Sequence, residues 1–303
     1  MITVPYLLLD VFTDTQFAGN PLAVVIDPPS SLGPDRMASI AREFNLSETI
    51  FLSPAGADRW DARIFTPVHE LAFAGHPTVG GAFALALAGR VSVTADRSAL
   101  VLVEGAGDVP VELRFDDGAV ADATFVAPRP PALDRWVPAD VTAAVLAALG
   151  LDGDDVHPDL GVGVWNAGVP ILVVPVASID VLGRARPDTA RMADVVASGY
   201  PPEFYLLAPA PAGGDQAWRS RMFAPAIGIP EDPATGAAAC AAAGLLASIA
   251  PDGEAAWRLE QGVEMGRPSV LALGATVRSG LAEQARLGGA AVLVGSGELR
   301  LAE

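Results

Sequence analysis

The sequence predicts an α+β chain of two similar halves, each a mostly antiparallel or mixed sheet wrapped around one central helix. Three observations carry that expectation. Two stretches nearly repeat each other: Phe65-Thr-Pro leads through a loop to His76-Pro-Thr-Val-Gly80, and Phe223-Ala-Pro leads to Asp232-Pro-Ala-Thr-Gly236. A two-residue gap in the loop sets His76 opposite Asp232. After each Gly comes a run that is apolar on nearly every side, the pattern of a helix buried all round. The β-rich segments around these helices also recur in a matching order, as duplication would leave them.

In chain order, Tyr6–Phe12 and Leu22–Ile26 are β-rich runs joined by a turn containing Gly19-Asn20-Pro21, so they read as neighbouring strands. Pro34-Asp35 opens a helix whose apolar residues Met37, Ile40, Ala41 and Phe44 keep helical spacing, with Asn45 ending it. Strands follow at Glu48–Ser53 and Asp61–Phe65, then the first buried helix from Pro77 to about Leu87. Further strands are expected at Val91–Thr94, Ala99–Val103, Val109–Phe115 and Val120–Val126. The run Ala127-Pro-Arg-Pro-Pro-Ala132 suits an extended linker, which divides the chain into residues 1–126 and 127–303. The final strand is left open to return to the first half. The second half should hold helices near Ala139–Leu149 and Thr189–Ser198 and the second buried helix from Pro233. Its strands should lie at Gly161–Trp165, Ile171–Val176, Phe204–Ala208, Trp218–Phe223, Ser269–Leu273, Gly274–Arg278 and Ala290–Leu299.

Composition excludes several classes. The chain has 303 residues, long enough for two domains with substantial cores. Its net charge of −17 argues against nucleic acid and anionic membranes, both of which draw on clustered cations. No apolar stretch is long enough to span a bilayer, and no basic segment precedes a hydrophobic one at the N-terminus, so a cytoplasmic protein is expected. A single cysteine, Cys240, forbids an intrachain disulfide. All 19 basic side chains are Arg. Without Lys there is no Schiff-base chemistry and no P-loop lysine, so chemistry must use carboxylates, His, hydroxyls, backbone groups or a metal.

Both repeated stretches set Pro and Gly at a helix start, where backbone N–H groups can meet an anion. Caps and turns would use the same residues. His76 could be structural, and Asp232 could be an N-cap. It is their matched positions that favour function. His69 and His157 have no metal-ligand spacing; a metal held by His76, Asp232 and Glu48 is the weaker alternative. Cys240 reads as small apolar packing inside the second helix. Glu48 stands in Asn45-Leu-Ser47-Glu48-Thr49, between a helix and a strand.

Six ordered motifs complete the reading: Phe17-Ala-Gly-Asn20-Pro-Leu-Ala-Val-Val, Asn45-Leu-Ser-Glu48-Thr, Phe65-Thr-Pro, Gly75-His76-Pro-Thr, Glu231-Asp232-Pro-Ala-Thr-Gly and Glu260-Gln-Gly-Val-Glu-Met-Gly-Arg-Pro-Ser269. Together they resemble the PhzF family of phenazine-biosynthesis-like isomerases, related in fold to diaminopimelate epimerase, along nearly the whole chain. The resemblance implies a diaminopimelate-epimerase-like fold with the active site in the cleft between the two halves. It also implies no cofactor and a homodimer. It makes Glu48 the acid/base, with His76 and Asp232 assisting. Asn20, Ser47, Gly75, Gly236 and Ala237 become candidate contacts for a small carboxylate-bearing substrate. The family usually has Ser where this chain has Ala237, which puts the phenazine substrate in question more than proton transfer. Burial can raise a Glu toward working pH, and closure can exclude water so that the same proton returns to another carbon.

The leading function is therefore an isomerase that shifts a proton and a double bond. An epimerase or racemase on the same scaffold is the alternative, although the two thiols of related epimerases are absent. A scaffold that binds a metabolite or partner without turnover is the third reading.

Overall fold

The computed structural model describes residues 2–28, 32–93, 96–210 and 216–301. Contacts divide the chain into one unit of residues 1–128 with 288–303, and a second unit of residues 129–287. Among the described residues, no helix is long and apolar enough to cross a membrane.

In the first unit the chain lays down β1 (Ile2–Val11), β2 (Asn20–Ile26), α1 (Pro34–Phe44), β3 (Glu48–Gly56), β4 (Arg59–Phe65), β5 (Glu70–Leu71), α2 (Gly75–Leu87), β6 (Arg97–Glu104), β7 (Gly107–Asp116) and β8 (Ala119–Val126). The last strand, β18 (Ala291–Leu301), returns to this unit antiparallel to β1, from Ile2 opposite Leu301 to Val11 opposite Ala291. Sheet order is β18-β1-β2-β3-β4-β6-β7-β8, with β5 on β4. The β2–β3 and β4–β6 pairs are parallel. Every residue of α2 from Gly75 to Leu85 is buried, and the helix touches β1, β2, β3, β6, β7, β8 and β18. That is a sheet wound around an apolar axle.

The second unit repeats the plan with β9 (Ala132–Trp136), α3 (Ala139–Ala148), β10 (Gly163–Asn166), β11 (Pro170–Pro175), α4 (Ile179–Arg184), α5 (Thr189–Ala197), β12 (Phe204–Pro209), β13 (Ala217–Ala224), β14 (Ile229–Asp232), α6 (Gly236–Ala247), β15 (Gly253–Gln261), β16 (Ser269–Arg278) and β17 (Leu281–Gly289). Its order is β9-β10-β11-β12-β13-β15-β16, with β14 on β13 and parallel pairs β11–β12 and β13–β15. Helix α6 is buried and packs on β9, β10, β11 and β16.

The expected mixed sheets around two central helices are present. Some elements differ. Residues 91–93 form no strand, and Thr94 lies outside the described residues. Ser269–Arg278 is one strand rather than two, because Gly274 stays in register opposite Ala256 instead of turning. Strands β9, β15 and β17 and helix α4 were not anticipated. In β15 the inward side chains are Trp257, Leu259 and Gln261, among Ala and charged residues whose β preference is weak. Helix α2 starts earlier than expected, at Gly75, and α6 later, at Gly236 rather than Pro233.

Candidate active site

Register places Glu48. It opens β3 opposite Leu22 of the parallel strand β2, and partners in a parallel pair face the same side. That side is the one α2 covers. A methyl group at Gly80 would lie 2.4 Å from Leu22 Cδ2 and 2.7 Å from Val11 Cγ2, and one at Gly81 would lie 3.1 Å from Ile50 Cδ1. The paired glycines thus let α2 press onto the face carrying Leu22, Glu48, Ile50 and Leu52. Thr49 and Phe51 point the other way, and Phe51 joins the small core under α1.

His76 lies one turn ahead of Gly80, so it looks out over the same face. Its Nδ1 is 2.9 Å from Glu48 Oε2, with the imidazole buried and the carboxyl 15% exposed. Its Nε2 is buried and makes no hydrogen bond among the described residues. Asn20, buried, begins β2, and Ser47, half-buried, immediately precedes Glu48. Gly75 is the first residue of α2. The first unit therefore brings Glu48 and His76 into direct contact, and the register sets Asn20 and Ser47 at the adjoining strand starts.

Asp232, Gly236 and Ala237 belong to the second unit. Asp232 ends β14, opposite Met222 of β13, and is buried. It does not cap α6: Thr235 is the residue before the helix, and its hydroxyl donates to Asp232 Oδ2 at 2.5 Å. Gln261, fully buried at the end of β15, pins this turn. Its Nε2 donates to the Asp232 carbonyl at 2.8 Å and to Thr235 Oγ1 at 2.9 Å, while its Oε1 accepts from the Thr235 N–H at 3.2 Å. Arg221 holds β14 from its other side with a two-pronged bond to Glu231 at 2.8 and 2.9 Å. Gly236 and Ala237 form the first turn of α6, with Ala237 half-buried.

The repeat is thus inexact where it matters. His76 sits inside the first turn of its helix, whereas Asp232 sits on a strand end before its helix. Cys240 is buried in α6, and burial pushes its thiol up to about 12, so it is no nucleophile.

Residue types alone did not flag two further carboxyls. Thr49 faces Phe65 in β3–β4, and Phe204 faces Phe223 in β12–β13, so Glu203 is the register counterpart of Glu48. Burial raises its carboxyl above the ordinary range. Glu104, at the end of β6, is buried, and desolvation pushes it up to about 8. The signal for Glu203 was the repeat itself, which extends backwards as Ala18-Gly-Asn-Pro and Ala167-Gly-Val-Pro, whereas Glu104 left none.

Comparison with known proteins places this geometry in context. A family model described as phenazine biosynthesis-like protein matches residues 9–297. An uncharacterised isomerase of Mesorhizobium japonicum is 42% identical over 99% of both chains. The trans-2,3-dihydro-3-hydroxyanthranilate isomerase of Pseudomonas fluorescens is 35% identical over 98% of this chain and 99% of its own. A solved phenazine biosynthesis protein of Bacillus anthracis superimposes with a TM-score of 0.86 at 24% identity, over 99% of this chain and 100% of that one.

Proposed function

The chain belongs to the PhzC-PhzF family of phenazine biosynthesis-like proteins and is an isomerase of that family, and from that premise we propose that it moves a proton on a small carboxylate-bearing substrate with Glu48 as the acid/base. One observation carries the reading: Glu48 Oε2 and His76 Nδ1 lie 2.9 Å apart, with the imidazole buried and the Glu48 side chain still partly open to solvent, within reach of a substrate. As a carboxylate, Glu48 takes a proton from a substrate carbon. The C–H electron pair shifts the adjacent double bond, and the acid so formed, its proton exchanging with water at the partly exposed carboxyl, protonates a different carbon. The product has the formula of the substrate, so no redox partner enters. His76 holds the Glu48 carboxyl in one orientation through Nδ1. Asp232 is proposed to serve the same substrate, with Asn20, Ser47, Gly75, Gly236 and Ala237 as contacts. A cytoplasmic homodimer working without a cofactor completes the proposal.

The name of the Pseudomonas fluorescens relative supplies the first compound to try, trans-2,3-dihydro-3-hydroxyanthranilate. Incubated with the protein in D₂O, it should acquire deuterium at carbon and convert to an isomer. Glu48→Gln should abolish both, lowering the rate by about 10²–10⁴. Label uptake that survives in Glu48→Gln would remove Glu48 from the mechanism. Sedimentation of the purified protein tests the dimer.

A further inference from the structure

We propose that Glu104 is a positioning residue for the Glu48–His76 pair: as a neutral carboxylic acid it donates its proton to Thr78 Oγ1 and so fixes the first turn of α2, from which His76 projects. The inference rests on the functional reading above for its catalytic consequence.

Counting protons leads to it. The Thr78 hydroxyl lies 2.7 Å from the Ala74 carbonyl and 2.6 Å from Glu104 Oε1. A hydroxyl has one proton. The Ala74 carbonyl, which also accepts the Thr78 N–H at 3.2 Å, has none to give, and one proton cannot serve both short oxygen–oxygen contacts. The 2.6 Å contact then needs a proton from Glu104. The second oxygen, Oε2, is buried with no hydrogen-bond partner among the described residues, which an anionic oxygen tolerates poorly and a neutral carbonyl much better. Burial is also what pushes this carboxyl up to about 8, against the opposing pull of Thr78 and the Ala74 N–H.

The second unit supplies an internal control. Strand β4 runs parallel to β6 with Asp61 opposite Val103, and β13 runs parallel to β15 with Arg219 opposite Glu260. Aligned on Phe65 and Phe223, the residues one step further are Glu104 and Gln261. Each is followed by a glycine hard against the loop that enters its central helix. A methyl at Gly105 would meet Ala72 Cα at 2.9 Å, and one at Gly262 would meet the Pro233 oxygen at 2.7 Å. Gln261 Nε2 donates to Thr235 Oγ1, which passes its own proton to Asp232. Glu104 does the same for Thr78, which passes its proton to Ala74. A neutral donor does this work in one unit by being an amide, and in the other by staying protonated.

Neighbouring charges do not alter that state. On α2 the only ionisable side chain is His76, bonded to Glu48. On β4, Asp61 is exposed, Arg59 pairs at the surface with Asp108 of β7, and Arg63 pairs with Glu70 of β5. Glu112, Arg114 and Asp116 of β7 also point to solvent.

Three variants test the assignment: Glu104→Gln, Glu104→Ala and Thr78→Val, the last keeping shape while removing the acceptor. With trans-2,3-dihydro-3-hydroxyanthranilate in D₂O, Glu104→Ala and Thr78→Val should lose about 10–100-fold in kcat with little change in KM. Glu104→Gln should stay close to wild type at neutral pH. It should also keep its rate as pH rises past about 8, where wild type declines. Glu104→Gln as impaired as Glu104→Ala, or a wild-type decline that persists in Glu104→Gln, would overturn the proposal. Two readouts need no turnover. The infrared difference between wild type and Glu104→Gln should contain a neutral carboxylic C=O band at neutral pH that fades with a midpoint near 8. The ring signals of His76, one of three histidines, should shift with the same midpoint in wild type only. If no compound exchanges label but both signals appear, the catalytic reading fails and the Glu104 state stands. If the band is absent, the Glu104 assignment fails whatever the activity.

Discussion

At the scale of single residues, the protein separates a carboxyl that works from one that holds. Glu48 is partly open to solvent and bonded to an imidazole, whereas Glu104 is sealed among apolar atoms with a hydroxyl for company. The Glu104 difference also shows in stability. Its folded carboxyl titrates at about 8 against an ordinary value of 4.5, so between those limits the folded chain binds a proton that the unfolded chain has released. Its contribution is therefore fully present below about 4.5, is lost as pH rises to about 8, and changes no further above that. Each unit of pH in that window costs up to about 1.4 kcal/mol. Urea titrations at several pH values should show wild type losing stability relative to Glu104→Gln across the window, with the two curves parallel above it. Parallel curves throughout would mean that Glu104 is ionised in the fold. Ala237 calls for a milder change. Ala237→Ser adds a hydroxyl at a half-buried position in the first turn of α6, where the family pattern has one. It should lower KM for the dihydro-hydroxyanthranilate without raising label uptake in a Glu48→Gln background, as substrate titrations of the single and double variants would show.

At the scale of elements, the distance between α2 and the β1–β3 face decides whether Glu48 and His76 meet. Gly80→Ala puts a methyl 2.4 Å from Leu22 Cδ2 and 2.7 Å from Val11 Cγ2, so those buried side chains or the helix must shift. That overpacking should cost about 1–3 kcal/mol. Because His76 rides on the same face one turn earlier, label uptake should fall further than the lost stability explains. The check is to compare exchange rates under conditions where the variant is fully folded; an unchanged rate would free the active pair from helix spacing. Much of this scale was legible in the sequence. Two all-round apolar helices and the Phe-x-Pro repeats are patterns of period and residue type, and they specify axles and wrapping sheets. His76 stood out for the same reason, in a short motif with Gly and Pro beside it, whereas Glu48 was marked only by the family resemblance of Asn45-Leu-Ser-Glu48-Thr49. The helix starts did not, because Pro is compatible both with a first turn, as at Pro77, and with the turn before one, as at Pro233. The Glu104–Gln261 correspondence was hidden further, since the residue types differ and only strand register aligns them. Strand β15 was missed because its inward positions are one aromatic, one aliphatic and one amide, too mixed to show an alternation.

At the scale of the molecule, the duplication matches β18-β1-β2-β3-β4-β6-β7 to β9-β10-β11-β12-β13-β15-β16 in sheet order but not in chain order. The second unit takes its first strand, β9, from directly ahead of β10, whereas the first unit takes the matching strand, β18, from the far end of the chain. The first unit therefore lacks its β1 partner until the last residues are in place, while the second draws all its strands from one continuous stretch. Strand β1 lies between β18 and β2 and shares its inner face with α2, so removing β18 leaves a row of unpaired backbone groups beside Leu9 and Val11, which are fully buried. As a new sheet edge along a ladder of ten paired positions, β1 would open its unpaired backbone groups and the apolar side chains beneath them to water. Hydrogen exchange read by mass spectrometry on a chain ending at residue 287 should lose protection in β1, β2 and α2. It should keep protection in β11, β12 and α6, whose pairings omit the deleted residues. Label uptake from D₂O should vanish with the first set, because Glu48 and His76 belong to it. Protection of α2 that survives the truncation would mean that the first unit closes on its own. In that case β18 would be a strand added to a finished core rather than a part the core requires.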